Sequence, residues 1–326
     1  MSTGANVDVL IVSLGSTTGL RRADDALAAS LRRAGATVAE ARAADQRQLP
    51  TLALTDLVWA RAARRAAGEA LERHAPRAVI YSTSTAALLW PRPGAIRYDA
   101  LATANRPGRH GVWQRPLERR RLGQAPLLLP WTPDPSHSRA LPLPPPIDPS
   151  GPPGAKDIAA ITYGANPGKK GIDHVLAAWA AARGPGDELI VAGLDAPPEG
   201  APAGVRFAGR LERDEYRALL RRARVYVTAP RREDFGIAQL EALADGCVLV
   251  TTPAPGPYAA LPLARALDPR LVVEPHELAG ALRTALAGPP PGYAVRAAAL
   301  VAPYATDAVD RLVAERLLPA LLAMPR

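Results

Sequence analysis

The chain has 326 residues, 48% of them hydrophobic, with a formal net charge of +9 and a single cysteine, Cys247. That length predicts two domains of about 150 residues each, while the lone cysteine excludes a disulfide framework within the chain and no apolar run reaches the roughly 18 residues of a membrane span. The start, MSTGANVDVLIVSLGS, lacks a basic opening and a small-residue cleavage site, so a soluble, cytoplasmic protein is expected. The charge is almost entirely arginine, dispersed along an Ala- and Pro-rich chain, which reads as the habit of a GC-rich genome; no nucleic-acid partner is expected, and the densest cluster, LERRRLG at 117–123, reads as a solvated helix face.

In chain order, VDVLIVSL (7–14) reads as a buried strand, followed by GSTTG and an amphipathic helix LRRADDALAASLRRAG closed by Gly35. A second strand begins near Thr37. RAVIYS (77–82), AIRYD (95–99) and APLLLP (125–130) are further strands, with helical stretches such as 57–74 between some of them, the order of a parallel sheet with crossover helices. LPLPPPIDPSGPPGAKD (141–157) is too rich in Pro and Gly for helix or strand and reads as a stiff interdomain connection. The alternation then restarts: DIAAITYG, DELIVAG, GVRFAG, RVYVTAP and CVLVTTP as strands, with GIDHVLAAWAAARG, RDEYRALLRRA and IAQLEALADG as helices. The expected fold is α/β, two Rossmann-like domains (1–146 and 147–305) facing each other across a cleft, with the ligand at the C-terminal ends of the strands.

Two stretches stand out chemically. RVYVTAPRREDFGIAQLEALADG runs strand, loop, helix, so the amides of Phe235, Gly236 and Ile237 fall at a helix start, where free N–H groups and a partial positive charge suit a phosphate. Gly236 allows close backbone approach; Glu233 stays in the loop and Glu241 lies about one and a half turns into the helix. The other stretch is GANPGKKGID. Lys156, Lys169 and Lys170 are the only lysines of an arginine-rich chain, and two of them stand together here as compact point charges.

EDFGIAQLE resembles the Glu-x-Phe-Gly-x4-Glu motif of retaining nucleotide-sugar glycosyltransferases of the GT-B fold, particularly glycosyltransferase family 4. YGANPGKKGIDHVLAAWAAAR, LIVAGLD, VRFAGRLERDEYRALLRRARVYVTAP and LEALADGCVLVTTPAPGPY are similar to the family's surrounding elements, so the resemblance covers about 156–290 and extends to the N-terminal half only as topology. It implies a hexosyltransferase taking a UDP- or GDP-linked donor with retention of configuration. Glu233 would contact the donor sugar, Asp234 and the amides after it the sugar and diphosphate, Glu241 the ribose, and Lys170, with Lys169, the diphosphate. Gly15 would belong to the loop facing donor and acceptor, and Arg210 and Leu211 would flank the base. The last helix, 306–326, would pack back on the first domain.

The chain departs from that pattern twice. The family's Arg five positions before the Lys is Ala165 here, with Lys169, Arg231 and Arg232 as candidate substitutes. The family's first-domain His has no clear counterpart; Asp99, which ends a strand, and His110 are the candidates. NRPGRHGVWQR gathers Arg106, Arg109, His110 and Arg115, which reads equally as an exposed arginine-bearing loop or as a site for an acceptor that is anionic or sits at a membrane surface, and attachment at the inner face of the membrane stands beside the purely cytoplasmic reading. No Asp-x-Asp occurs, so neither metal nor cofactor is expected. An inactive nucleotide-sugar-binding subunit, and a phosphorylase or epimerase on the same fold, are the alternative functions.

Overall fold

In the computed structural model, residues 5–47, 49–134, 136–137 and 140–324 are described. The chain separates into two units, one running to Pro146 and resuming at Tyr304, the other Ile147–Pro303. The first holds β1 (Ala5–Ser13), α1 (Thr18–Arg33), β2 (Val38–Arg42), α2 (Leu52–Arg73), β3 (His74–Tyr81), α3 (Ser84–Ala87), β4 (Ala95–Tyr98), α4 (Ala102–Asn105), α5 (Gln114–Gln124) and β5 (Leu128–Pro130). The second holds β6 (Ile158–Tyr163), α6 (Pro167–Lys170), α7 (Ile172–Ala182), β7 (Leu189–Ala192), β8 (Val205–Gly209), α8 (Arg213–Arg222), β9 (Ala223–Thr228), α9 (Ile237–Ala244), β10 (Val248–Thr251), α10 (Ala260–Leu267), α11 (Leu278–Ala287) and α12 (Tyr293–Val301). The chain ends on α13 (Thr306–Leu312) and α14 (Leu318–Leu322) in the first unit.

Each unit is built on a five-stranded sheet, ordered β2-β1-β3-β4-β5 in the first and β10-β9-β6-β7-β8 in the second; the strand pairs are parallel. Strands covered on both faces read as continuous Val/Ile/Leu runs, and β1 shows why. Leu10 and Val12 pack with Trp59, Ala63 and Ala67 of α2 on one face, while Val9 and Ile11 pack with Leu27 and Leu31 of α1 on the other. Alternate side chains point to opposite faces, so every position of the run is buried.

The second of those clusters is completed by the chain's end: Val309, Val313, Leu317 and Leu321 pack against it. The helix there is not continuous. A π turn, Val313–Leu317, separates α13 from α14, and Asp310 is forked by Arg33 at 2.5 and 2.8 Å. The Pro-rich connection also differs from a free spacer. Leu141 and Leu143 donate backbone bonds to Leu128 and Pro130 and are buried in the first unit, because their apolar side chains sit on alternate positions beside β5.

Candidate active site

The order of the second sheet reverses between β6 and β9: the chain runs from β6 outward to β8, then returns to pair β9 with β6 on its other edge. Loops leaving adjacent strands in opposite directions open a crevice at their C-terminal ends. Those two loops carry GANPGKKG and APRREDFG.

The first is shaped by α6, whose N-cap Asn166 accepts from the Lys169 amide, with Pro167 in the first turn. Gly171 ends it at φ +60°, and a Cβ there would fall 1.9 Å from the Ala229 carbonyl oxygen, so only glycine fits. The lysine turn therefore rests directly on the chain leaving β9. The two loops are strapped together by the Arg231 amide, which donates to the Lys169 carbonyl at 2.9 Å.

The second loop is held from behind. The Glu233 amide donates to Pro255 and the Phe235 carbonyl accepts from Ala259. Phe235, one of the chain's two phenylalanines, is buried and anchors the turn. Gly236, at φ +91°, caps α9, and a Cβ there would meet the Tyr258 ring at 3.0 Å.

These backbones bring two ion pairs together. Lys170 Nζ lies 2.5 Å from Glu233 Oε2, with the lysine side chain 17% and the glutamate 6% exposed. Gln239 Nε2 donates to the same oxygen at 2.9 Å. Lys169 Nζ lies 2.7 Å from Asp234 Oδ2, whose other oxygen accepts from Arg232 Nε at 2.9 Å. Burial acts to raise the Asp234 pKa, but the bond from Lys169 and the charges of Lys169 and Arg232 outweigh it and hold the carboxyl below its usual range. Arg231 is committed elsewhere, forked on exposed Asp173 at 2.9 and 2.5 Å. Lys169, Lys170 and Arg232 are thus the cations that pair with the carboxylates of this loop, and Ala165 is exposed.

Glu241 is buried on α9 and ion-paired through Oε1 to Arg217 at 3.1 Å and Arg213 at 3.3 Å. Arg217 also holds Asp245 at 3.0 Å and the Asp148 carbonyl at 2.7 Å. Burial acts to lower its pKa, but Asp245 and Glu241 raise it on balance. Arg213 and Arg217 stand four apart on α8, so one helix face delivers both guanidinium groups to one carboxylate. Arg210 is almost fully exposed, its amide donating to Asp195, and half-buried Leu211 follows it at the entry to α8.

The remaining candidates belong to the first unit. Gly15 follows β1 at φ +60°, its carbonyl accepting from Arg21 at 2.6 Å. Asp99, expected to end a strand, instead follows β4 in a bend, because the strand closes at Tyr98, and it accepts from the Ala100 amide. His110 stands exposed in a 3-10 turn, Gly108–Gly111. Arg106, expected beside His110, instead forks buried Asp56 at 2.6 and 3.0 Å, and Arg115 donates to the Gly108 and Gly111 carbonyls. The first unit also holds a buried pair the sequence did not reveal: Asp24, bonded to Ser13, with Arg97, which lies 5.0 Å from the Trp131 ring centroid. Burial raises Asp24 and lowers Arg97 to about 10, each opposed by the other's charge. Among the described residues no three His, Cys, Asp or Glu gather as metal ligands, and no helix is long and apolar enough to cross a membrane.

Two parallel-sheet units of this kind define the class: the fold is GT-B. The chain is similar over its whole length to WaaG, a glycosyltransferase involved in lipopolysaccharide biosynthesis (17% identity, TM-score 0.65, 98% of this chain and 100% of that one). It is similar too to sucrose-phosphate synthase from Thermosynechococcus elongatus (15%, 0.70, 98% and 100%) and to the lipopolysaccharide outer core galactosyltransferase WaaB (10%, 0.60, 97% and 100%). At these identities the likeness is one of fold. Residues 147–295, nearly the whole second unit, match the family model Glycosyl transferases group 1. No curated protein matches the chain in sequence.

Proposed function

We propose that the protein transfers a hexose-type sugar from a UDP- or GDP-linked donor to an acceptor with retention of configuration and without a metal ion. The observation that carries this reading is the Lys170–Glu233 pair, set beside the tip of α9 within the residues that match the glycosyl transferases group 1 model. Glu233 Oε2 is occupied by Lys170 and Gln239, and Oε1 has no hydrogen-bond partner among the described residues, which supports its role as acceptor for a sugar hydroxyl. A donor diphosphate competes with Glu233 for Lys170, and the Gly236 and Ile237 amides start α9 facing the charge that grows on the leaving group. In the reaction the bond from the anomeric carbon to the diphosphate oxygen breaks. The acceptor oxygen bonds that carbon on the same face, and its proton passes to the departing phosphate. Glu241, steadied by Arg217 and Arg213, is assigned to the ribose, and Arg210 and Leu211 to the base. On the first unit, Gly15, Asp99 and His110 are assigned to the sugar and acceptor, and exposed Arg109 supports an anionic acceptor.

A panel of nucleotide sugars in thermal-shift assays tests this, since a ligand at a hundred times its dissociation constant adds about 2.7 kcal/mol. Transfer should persist in EDTA and the product should keep the donor's anomeric configuration; no response to any UDP or GDP sugar, or a strict need for magnesium or manganese, would refute the reading. A second reading, a nucleotide-sugar-binding subunit that transfers nothing, is favoured by Ala165 where a cation would help; transfer or donor hydrolysis by the purified chain would reject it.

A further inference from the structure

Lys170 has two partners that it cannot serve at once. In the free protein its ammonium sits on Glu233 Oε2 at 2.5 Å, and with a donor bound it is assigned to the diphosphate. Glu233 is only 6% exposed, so when Lys170 turns away the carboxylate stays nearly out of water, where an uncompensated charge is costly. It then needs a donor that does not follow the phosphate.

Gln239 has that character. It stands in the first turn of α9, is 1% exposed, and its Nε2 donates to the same Oε2 at 2.9 Å. Of the two groups that hold this oxygen among the described residues, Gln239 is the neutral one, fixed on a helix rather than drawn toward an anion. Its bond leaves Oε1 to the sugar. Gln239 is itself enclosed: a Cβ on Gly236 would meet the Tyr258 ring at 3.0 Å and Gln239 Oε1 at 3.3 Å, so both side chains press on the turn that opens α9. Buried Tyr258 shares a hydrogen bond of 2.7 Å with Thr251, the last residue of β10. Burial pushes the Tyr258 pKa up, opposed by the bonds to Thr251 and Gln239 and reinforced by the charge of Glu233. The ring keeps its proton and adds no second negative charge beside the carboxylate.

We propose that Gln239 is a positioning residue for the donor: its amide holds Glu233 while Lys170 passes from that carboxylate to the diphosphate, so that the sugar meets a fixed Oε1. This rests on the donor reading above.

The test is calorimetric titration of UDP and GDP into the full chain, into Gln239→Met, into Glu233→Gln and into the double variant. Gln239→Met should weaken the nucleotide that binds roughly tenfold or more, the usual contribution of one hydrogen bond to a charged group, because freeing Lys170 then strands the carboxylate. In the Glu233→Gln background no charge is left to strand, so the same substitution should change affinity by less than about twofold, whereas a loss of packing would lower both backgrounds alike. The wild-type protein gives a reading that needs no variant. The Gln239 side-chain amide protons, followed by nitrogen-15 NMR, should stay shielded from solvent exchange when UDP or GDP is added. Affinity unchanged by Gln239→Met, an equal loss in both backgrounds, or release of those amide protons into fast exchange on nucleotide binding would overturn the proposal and leave the donor reading standing; binding of neither UDP nor GDP by the wild-type chain would overturn both.

Discussion

Lys170→Ala separates what the central ion pair contributes to folding from what it contributes to chemistry. Glu233 is 6% exposed and Lys170 17%, so removing the ammonium leaves a nearly buried carboxylate without its charge partner. Breaking a buried pair typically costs 3–5 kcal/mol, about 2–3 here because Gln239 still donates to the same oxygen. In a unit of this size that lowers the melting temperature by roughly 4–12 °C. In the reaction the same ammonium is proposed to meet the departing diphosphate, and losing one preorganised cation should cost about 3 kcal/mol more, a hundredfold or greater fall in kcat/KM. The double variant Lys170→Ala/Glu233→Gln distinguishes the two effects: it removes the orphaned charge, so calorimetry should recover most of the lost stability while steady-state transfer stays impaired. Wild-type kcat/KM in Lys170→Ala, or activity returning together with stability in the double variant, would refute the reasoning.

Glu233→Gln should lower turnover tenfold or more with nucleoside diphosphate binding nearly intact, whereas Glu241→Ala should weaken that binding itself; isothermal titration beside steady-state kinetics checks both, and the reverse pattern would exchange their roles. Asp234 has a folded-state pKa held below its unfolded value, so its ionised form contributes stability that is present above the ordinary carboxylate pKa near 4 and is lost as pH falls through the lowered value. The gap in melting temperature between wild type and Asp234→Asn should therefore be full at pH 7 and close below about pH 4; a gap constant down to about pH 3 would show that the Lys169 pair contributes nothing.

The alternation of apolar runs with helical stretches was enough to read the strands, because parallel strands covered on both faces leave no choice of residue type; β1, β6, β9 and β10 stand within two residues of their expected bounds. The donor loops were legible for a different reason. Gly171 and Gly236 mark backbones that no other residue fits, and lysine is conspicuous where arginine is the default. What stayed hidden depended on tertiary pairing. Nothing in the spacing of Gln239 shows that it bonds Glu233, and Arg106 looked like a ligand for anions until Asp56, fifty residues away, was found to occupy it. Arg213 and Arg217 were within reach of sequence, as an i, i+4 pair on a helix expected beside the site, but their carboxylate lies on another helix. Leu141 and Leu143 were obscured by the prolines around them.

The chain's three lysines make the candidate site unusually accessible to spectroscopy. Lys156 Nζ donates to the Asp245 carbonyl at 2.7 Å, and the other two ammonium groups each face a different carboxylate in adjacent loops. Reductive methylation with carbon-13 formaldehyde leaves arginine untouched, so apart from the amino terminus only these three side chains acquire labelled methyls. Two of the resulting resonances then arise from the two ion pairs themselves, with Lys156 as an internal reference outside them, and the exchange of a carboxylate partner for a phosphate is read directly as a shift in one line and not the other.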